Sequence, residues 1–351
     1  MFETIFKEFG IGANASVTPF GSGLINNTWL ISENGNDLVL QRINHNVFKQ
    51  PFDIACNIHL ICEYVKDKHP GYLFICPRKT IAGDEMIFIK EEGYFRLFPF
   101  IKNSHTTDVV DSPSQAHEAA KQFGRFANLL SAFPVDKLKI TLPDFHNLSL
   151  RYAQFETAIK EGNKERIKQS SALISFLKSQ QEIVAISEQI VNNPEFKQRV
   201  THHDSKISNV LFDEMNQGLC VIDLDTVMPG YFISDFGDMM RTYLSPVSEE
   251  EKDLSKIEIR ENYFKAIADG YLSEMGNVLT TVEKQYMVYA GKFMTYMQAL
   301  RFLTDHLNND SYYGSKYEGH NFIRANNQAT LLKKIIEKEK LLQEIVILNC
   351  E

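Results

Sequence analysis

Between Thr201 and Gly230 the chain reads THHDSKISNVLFDEMNQGLCVIDLDTVMPG, and no other stretch restricts the fold as tightly. Two apolar runs, Asn209-Val210-Leu211-Phe212 and Leu219-Cys220-Val221-Ile222, flank the turn-forming Asp213-Glu214-Met215-Asn216-Gln217-Gly218, so a β-hairpin is expected. Such a hairpin brings Asn209 and Asp223 together at its open end, with His202 and Asp204 just ahead of it and Asp225 just beyond. A polar cluster of this kind needs a scaffold. The chain has 351 residues, 44% of them hydrophobic, enough for two domains or one large two-lobed unit. Its formal charge of -8 argues against nucleic acid, whose phosphates are bound by clustered Lys and Arg. A small-molecule or metal-assisted chemistry fits better.

The chain ahead of this stretch is rich in strand patterns. Phe2, Ile5, Phe6 and Phe9 lie at helical spacing, but Glu3 and Glu8 set this helix apart from a signal peptide. Ser16 to Phe20, Thr28 to Ser32 and Asp37 to Ile43 read as a three-stranded meander, with Asn34-Gly35 as a hairpin turn. Gly21-Ser22-Gly23, between the first two strands, is either a loop whose amides approach phosphates or an ordinary turn. Residues 50 to 68 have a helical period that His69-Pro70-Gly71 stops. Tyr72 to Cys76, Glu85 to Ile89 and Tyr94 to Leu97 are further expected strands, giving a five-stranded sheet with one main helix. Leu97 to Lys102 runs into a proline break, which divides the chain into lobes at 1–100 and 101–351.

Helical patterns dominate the second lobe. Ser112-Pro113-Ser114-Gln115 places an N-cap serine, a first-turn proline and a capping-box glutamine ahead of a helix reaching about Phe133. Further helices are expected at Leu148 to Glu161, Lys164 to about Val191, Ser248 to Met275, Val282 to Leu307 and Gln328 to Ile347. The apolar positions of the last one suit packing on its own lobe, so a monomer or weak homodimer is expected. The fold class is α+β. No run is long and apolar enough to span a membrane. Cys56, Cys62, Cys76, Cys220 and Cys350 are scattered, without a CxxC pair, so neither a disulfide framework nor a zinc site is expected. A soluble cytoplasmic protein is the expectation.

His202-x-Asp204, then Asn209, then Asp223 suits phosphoryl transfer. One carboxylate accepts the proton of an acceptor hydroxyl, while an amide oxygen and a second carboxylate hold Mg²⁺ on nucleotide phosphates. Asp204 is then the base, and Asn209 and Asp223 are the metal ligands; His202 braces the loop. Hard Mg²⁺ prefers oxygen ligands and keeps several waters, so two protein ligands suffice. Ser234-Asp235-Phe236-Gly237-Asp238 also contains an Asp-Phe-Gly triplet, but it lies outside the hairpin and Asp223 is the better ligand. A metal phosphohydrolase, with His202, His203, Asp204 and Asp223 binding two metals directly, is the alternative from another reaction class.

With these residues in view, the chain resembles the aminoglycoside phosphotransferase and choline kinase group of small-molecule kinases, which share a bilobal, protein-kinase-like fold. Within that group LVLQRINHNVF, RLFPFI, CVIDLDTVMPG, SDFGDMMR and RFLTDHL are most similar to bacterial N-acetylhexosamine 1-kinases. The resemblance implies ATP and Mg²⁺ as cofactors and the anomeric hydroxyl of N-acetylglucosamine or N-acetylgalactosamine as acceptor. Another alcohol, such as an amino alcohol or an aminoglycoside, is the nearest alternative.

It also implies site residues. Adenine lies near the backbone of Phe98 to Phe100, with Leu24 and Val39 above it, and Gly21 and Gly23 approach the phosphates. Asp225 either reaches a second Mg²⁺ or bonds the loop, and Asp235 braces the catalytic loop. Arg301, Asp305, Tyr312, Tyr313, Tyr317, Asn321 and Arg324 are candidates for the sugar. One departure stands out: the strand Val39-Leu40-Gln41-Arg42 lacks the group's phosphate-binding lysine. Either Gln41 pairs with Asn57, or Arg42 supplies the cation with Glu63 as partner; otherwise the protein binds nucleotide without turnover.

Overall fold

The computed structural model describes residues 1–21 and 25–350. Helix α1 (Phe2–Phe9) precedes strands β1 (Ser16–Pro19), β2 (Asn27–Glu33) and β3 (Asn36–Ile43), then helix α2 (Pro51–Lys68) and strands β4 (Ile87–Ile89) and β5 (Gly93–Pro99). These strands make one antiparallel sheet in the order β1-β2-β3-β5-β4. Strand pleating sends alternate side chains to opposite faces. Ile31, Leu38, Leu40, Phe95 and Leu97 face one side and pack with Ile5, Phe6 and Phe9 of α1 in a core of their own. Val39, Gln41, Arg96 and Phe98 therefore look the other way, toward the rest of the molecule.

Helix α2 departs from this arrangement, because its Ile54, Ile58, Ile61 and Val65 join the larger core of the helical part. Pro51 in its first turn supports the start of the helix, since a missing N–H costs nothing there. Tyr72 to Cys76, expected as a strand, joins no sheet; the nearby Arg78 N–H bonds Leu97 O at 2.7 Å instead. Cysteine pairing also differs from expectation. Cys62 of α2 is joined to Cys76 in a disulfide with Cα atoms 5.9 Å apart. The chain turns at His69-Pro70-Gly71 and runs back along the helix, a tertiary closure that spacing alone does not reveal.

Beyond β6 (Ser104–His105) the helical part begins with α3 (Pro113–Leu129), α4 (Leu148–Glu161), α5 (Lys164–Gln169), α6 (Ser171–Ser179) and α7 (Glu182–Asn192). Ser112 Oγ accepts from Gln115 N, but the Gln115 side chain accepts from Asp111 N, so the capping box closes only half-way. One long helix from Lys164 was expected; breaks at Ser170 and Gln180 let the chain follow the curved core instead. Strands β7 (Arg199–Thr201), β8 (Val210–Asp213), β9 (Gly218–Val221) and β10 (Met228–Gly230) frame the central stretch. Helices α8 (Phe232–Tyr243), α9 (Glu261–Met275), α10 (Thr281–Gln285), α11 (Met287–Leu307), α12 (His320–Glu337) and α13 (Glu339–Cys350) complete the chain. Expected helices at Ser248 and Gln328 are corrected: Leu254–Lys256 is a single 3₁₀ turn before α9, and the last helix is divided at Lys338.

Helices α8 and α11 cross closely because Gly237 carries no side chain. A Cβ there would overlap Ala290 O. Leu342 and Val346 of α13 join the main core, as a helix packed on its own lobe requires. No helix among the described residues is long and apolar enough to cross a membrane.

Candidate active site

The hairpin forms as its sequence requires, with Val210 opposite Val221 and Leu211 opposite Cys220. At its open end the Ile222 N–H bonds Asn209 O at 2.9 Å, which brings Asn209 next to Asp223. Asp223 adopts a left-handed conformation, φ 59°, one that Asn and Asp tolerate better than most residues. That turn takes Asp223 out of the strand line, and its side chain is exposed.

The loop ahead of the hairpin is held from below by α8. Asp235 accepts from His202 N at 2.9 Å, His203 N at 2.7 Å and Ser205 Oγ at 3.1 Å. An acceptor-only carboxylate thus gathers donors from a loop that has no ladder of its own. The buried His202 ring donates from Nε2 to Ile222 O and packs edge-on against Phe123, while Thr226 Oγ1 donates to His202 O. His203 donates from Nδ1 to Thr201 O. Both imidazoles are thereby turned to backbone. Among the described residues no group of three or more His, Cys, Asp or Glu side chains is placed to hold a metal. The two-metal hydrolase arrangement, which needs those imidazoles as ligands, is absent.

Asp204 stands clear of these braces. Its Oδ2 accepts from Asn209 Nδ2 and from Lys206 Nζ, both at 3.0 Å. Burial works against the Lys206 charge, but Asp204, Asp223 and Asp238 outweigh it and hold the ammonium above its ordinary range. Asp223 shows the opposite balance: burial, then Asp225 and Asp204, push its carboxyl up to about 6. Its side chain still meets solvent in the cleft, so water screens part of this effect. Crowded carboxylates with an amide oxygen beside them form a donor set suited to a hard divalent ion. Asn209 and Asp223 would supply two oxygens to such an ion.

Other candidates are placed differently from expectation. Asp225 is buried and engaged from the N-terminal part instead, by Asn26 Nδ2 at 2.7 Å and by Arg96 Nη2 at 2.5 Å, rather than by the loop. The Gln41 and Asn57 pair does not form. Gln41 Oε1 accepts from Arg96 Nε at 3.0 Å and Nη2 at 2.8 Å, whereas Asn57 bonds Lys139 and Val227. Arg42 falls on the α1 face of the sheet with Leu40, away from the cleft, and Glu63 pairs with Lys66. Gly21 is left-handed at φ 77°, while Gly23 and Leu24 lie outside the described residues. The Phe98 ring lies 5.0 Å from the Arg96 guanidinium, and the Phe100 N–H is committed to Asp37 O.

On the far side of Asp204 the buried Asp238 feels its charge. Asp238 bonds Arg241 at 2.9 Å, Arg241 bonds Glu249 at 2.7 Å, and Glu249 bonds Arg324. Arg324 lies 3.7 Å over the Phe302 ring, and Arg301 reaches over Phe145 and Tyr313. The Tyr313 hydroxyl and Arg324 Nε are buried without partners among the described residues. Asp305 is corrected from a sugar candidate to a loop anchor, since it is buried and accepts from Tyr312 N, Tyr313 N and Asn321 Nδ2. Tyr317 stacks near His320 and under Lys252.

Sequence reasoning missed Arg96, Asn26 and Lys206. Arg96 had one visible signal, a charge between Phe95 and Leu97 in an otherwise apolar strand.

Residues 16–274 match the family model described as the phosphotransferase enzyme family, APH. The chain belongs to this family. As a family member it is a phosphotransferase, and solved structures share its fold. A microcompartment-associated aminopropanol kinase is 13% identical with a TM-score of 0.68, covering 97% of this chain and 98% of that one. An amicoumacin kinase, solved with AMP-PNP, Ca²⁺ and Ami, is 12% identical with a TM-score of 0.65, covering 95% and 92%. An aminoglycoside phosphotransferase from Alicyclobacillus acidocaldarius is 11% identical with a TM-score of 0.64, covering 98% and 95%. The APH fold, an antiparallel N-terminal sheet joined to a larger helical part, is therefore the fold of this chain.

Proposed function

We propose that this phosphotransferase moves the γ-phosphate of ATP, with Mg²⁺, to the anomeric hydroxyl of an N-acetylhexosamine. In this reading residues 1–100 form the nucleotide-binding lobe and 101–351 the catalytic and sugar-binding lobe. Asp204 accepts the hydroxyl proton through the oxygen not bound by Asn209 and Lys206. Asn209 and Asp223 hold the ion, which when bound neutralises charge on the phosphates. Lys206, charged and beside Asp204, adds positive charge next to the transferring group. His202, His203 and Asp235 touch no reactant; they keep the loop in place.

The observation that carries the acceptor class is the arginine cluster linked to the surroundings of Asp204 through Asp238, Arg241 and Glu249. Asp238 and Glu249, the carboxylates there, are each bonded to arginine. Arg301 and Arg324 face Tyr313, and the carboxylate beside them, Glu250, is paired with His320 and Lys316. Planar Arg and Tyr groups suit sugar hydroxyls and an N-acetyl carbonyl, whereas amino alcohols and aminoglycosides call for an acidic lining. The amicoumacin kinase binds a nucleotide analogue in its structure, which supports ATP as the donor here.

A panel of hexosamines and amino alcohols with ATP and Mg²⁺, read by phosphorus NMR, tests this. N-acetylhexosamine 1-phosphate is the expected product; phosphate on any other carbon, or turnover of amino alcohols alone, sinks the assignment. Asp204→Asn should lower kcat by roughly 10²–10⁴-fold while nucleotide still binds. Retained activity would remove Asp204 from the role of base.

A further inference from the structure

Strand β3 presents Gln41, not a cation, to the cleft, and its Arg42 points to the opposite face. The cation on the cleft side comes instead from the neighbouring strand. Arg96 stands directly opposite Gln41 in the β3–β5 register. It is 1% exposed, among the largest fully buried side chains of the protein. Gln41 Oε1 grips two of its nitrogens, Nε and Nη2, and Nη2 also meets Asp225. The remaining nitrogen, Nη1, is buried and has no partner among the described residues. Leaving a charged donor unmatched inside a protein is costly, so such a group in a cleft is a mark of a ligand contact.

The surroundings limit what that ligand is. The Arg96 partner Asp225 stands close to Asp223 in the chain, at the open end of the hairpin. Asp225 ties Arg96 to Asn26, just ahead of β2. A guanidinium edge without a protein partner among the described residues, beside Asp225 and near Asp223, is placed for an anion such as a phosphate.

We infer that Arg96 is the phosphate-binding cation of this protein, with Nη1 contacting the nucleotide's non-transferred phosphates while Nη2 keeps its hold on Asp225. The inference rests on the kinase reading above. The planar fork of arginine makes both contacts at once, which the single ammonium of a lysine does not reproduce. Gln41 acts on the guanidinium rather than on the phosphate: its carbonyl oxygen fixes the orientation of the fork. Arg96 also joins the two parts of the molecule, because its strand is in the sheet and Asp225 follows the hairpin.

Calorimetric titration of ADP and of adenosine, each with and without Mg²⁺, distinguishes this role from a structural one. Arg96→Gln should weaken ADP by roughly 10–100-fold and leave adenosine within about twofold. Arg96→Lys should fall between Arg96→Gln and the parent. An unchanged ADP affinity, or equal losses for ADP and adenosine, overturns the inference. If Arg96→Gln does not fold, as judged by circular dichroism, ¹⁵N NMR of arginine side chains in the parent protein decides. The Nε–H resonance missing from Arg96→Lys should shift with ADP and not with adenosine, and no ADP-specific shift overturns the proposal. A parent protein that binds neither compound overturns the kinase reading itself, a result separate from parent binding that Arg96 variants leave intact.

Discussion

At the scale of single residues, the site brings like charges together and leaves the conflict partly unresolved. Asp223 is the clearest case, with burial, Asp225 and Asp204 all pushing its carboxyl up to about 6. The raised value fixes the sign of its effect on stability. Protonated Asp223 carries no penalty, so the folded state keeps its full stability below the ordinary carboxylate range and loses some as pH rises through about 6. Asp223→Asn should therefore raise the melting temperature of the ligand-free protein at pH 8, by roughly 1–2 °C, and have no such effect near pH 4. Solvent access in the cleft keeps the expected gain small. Melting curves at the two pH values check it, and a gain that is larger at pH 4 contradicts the sign.

The hairpin, α3 and α4 were legible as elements because each carries its own local signals. The Asp213 to Gly218 turn, the Ser112 cap and the helical period after Leu148 all act within one or two turns of chain. The breaks at Ser170, Gln180 and Lys338 were not legible, since the shape of the core decides them and no proline or glycine marks them. The same division separates the site residues. Asp204, Asn209 and Asp223 are brought near one another by one hairpin, whereas Arg96 and Asn26 arrive from the sheet through contacts of long sequence separation.

Helix α10 shows how strongly such distant contacts bind an element. Fully buried Glu283 closes a capping box with Thr280 and also accepts from Lys197 N and from Arg199 Nη1 at 2.6 Å and Nη2 at 2.8 Å. Arg199 opens β7, the strand that leads into the loop carrying His202 and Asp204. Glu283→Ala would strand a buried guanidinium as well as remove the cap, at a cost of about 3–5 kcal/mol. Urea denaturation should show that loss, and a change under about 1 kcal/mol would mean that water substitutes for the carboxylate.

At the scale of the whole molecule, the division of the core does not follow the order of the chain. Helix α2 precedes β4 and β5 in sequence, yet its apolar face belongs to the larger core, while the sheet and α1 keep a separate one. Asn57 fixes that allegiance. Fully buried in α2, it donates to Lys139 O at 2.9 Å and Val227 O at 3.0 Å and accepts from Lys139 N at 2.8 Å. One amide thus satisfies three backbone groups from two separate segments, and Val227 lies between Asp225 and the strand β10. Asn57 follows Gln41 by sixteen residues, close to the spacing of the group's lysine and glutamate, which suggested that pair; the partners lie instead in the helical part, 82 and 170 residues away. Asn57→Ala would leave those backbone groups without partners in a dry environment, at about 3 kcal/mol in total. If α2 opens with the larger core, hydrogen exchange in this variant should accelerate in α2 and around Lys139 and Val227. Protection in β2, β3 and β5 should stay as in the parent protein, because their core is the one shared with α1. Equal loss of protection across the sheet would show instead that α2 and the strands open as one unit, and that Arg96 and Asp225 alone do not hold the two parts in register.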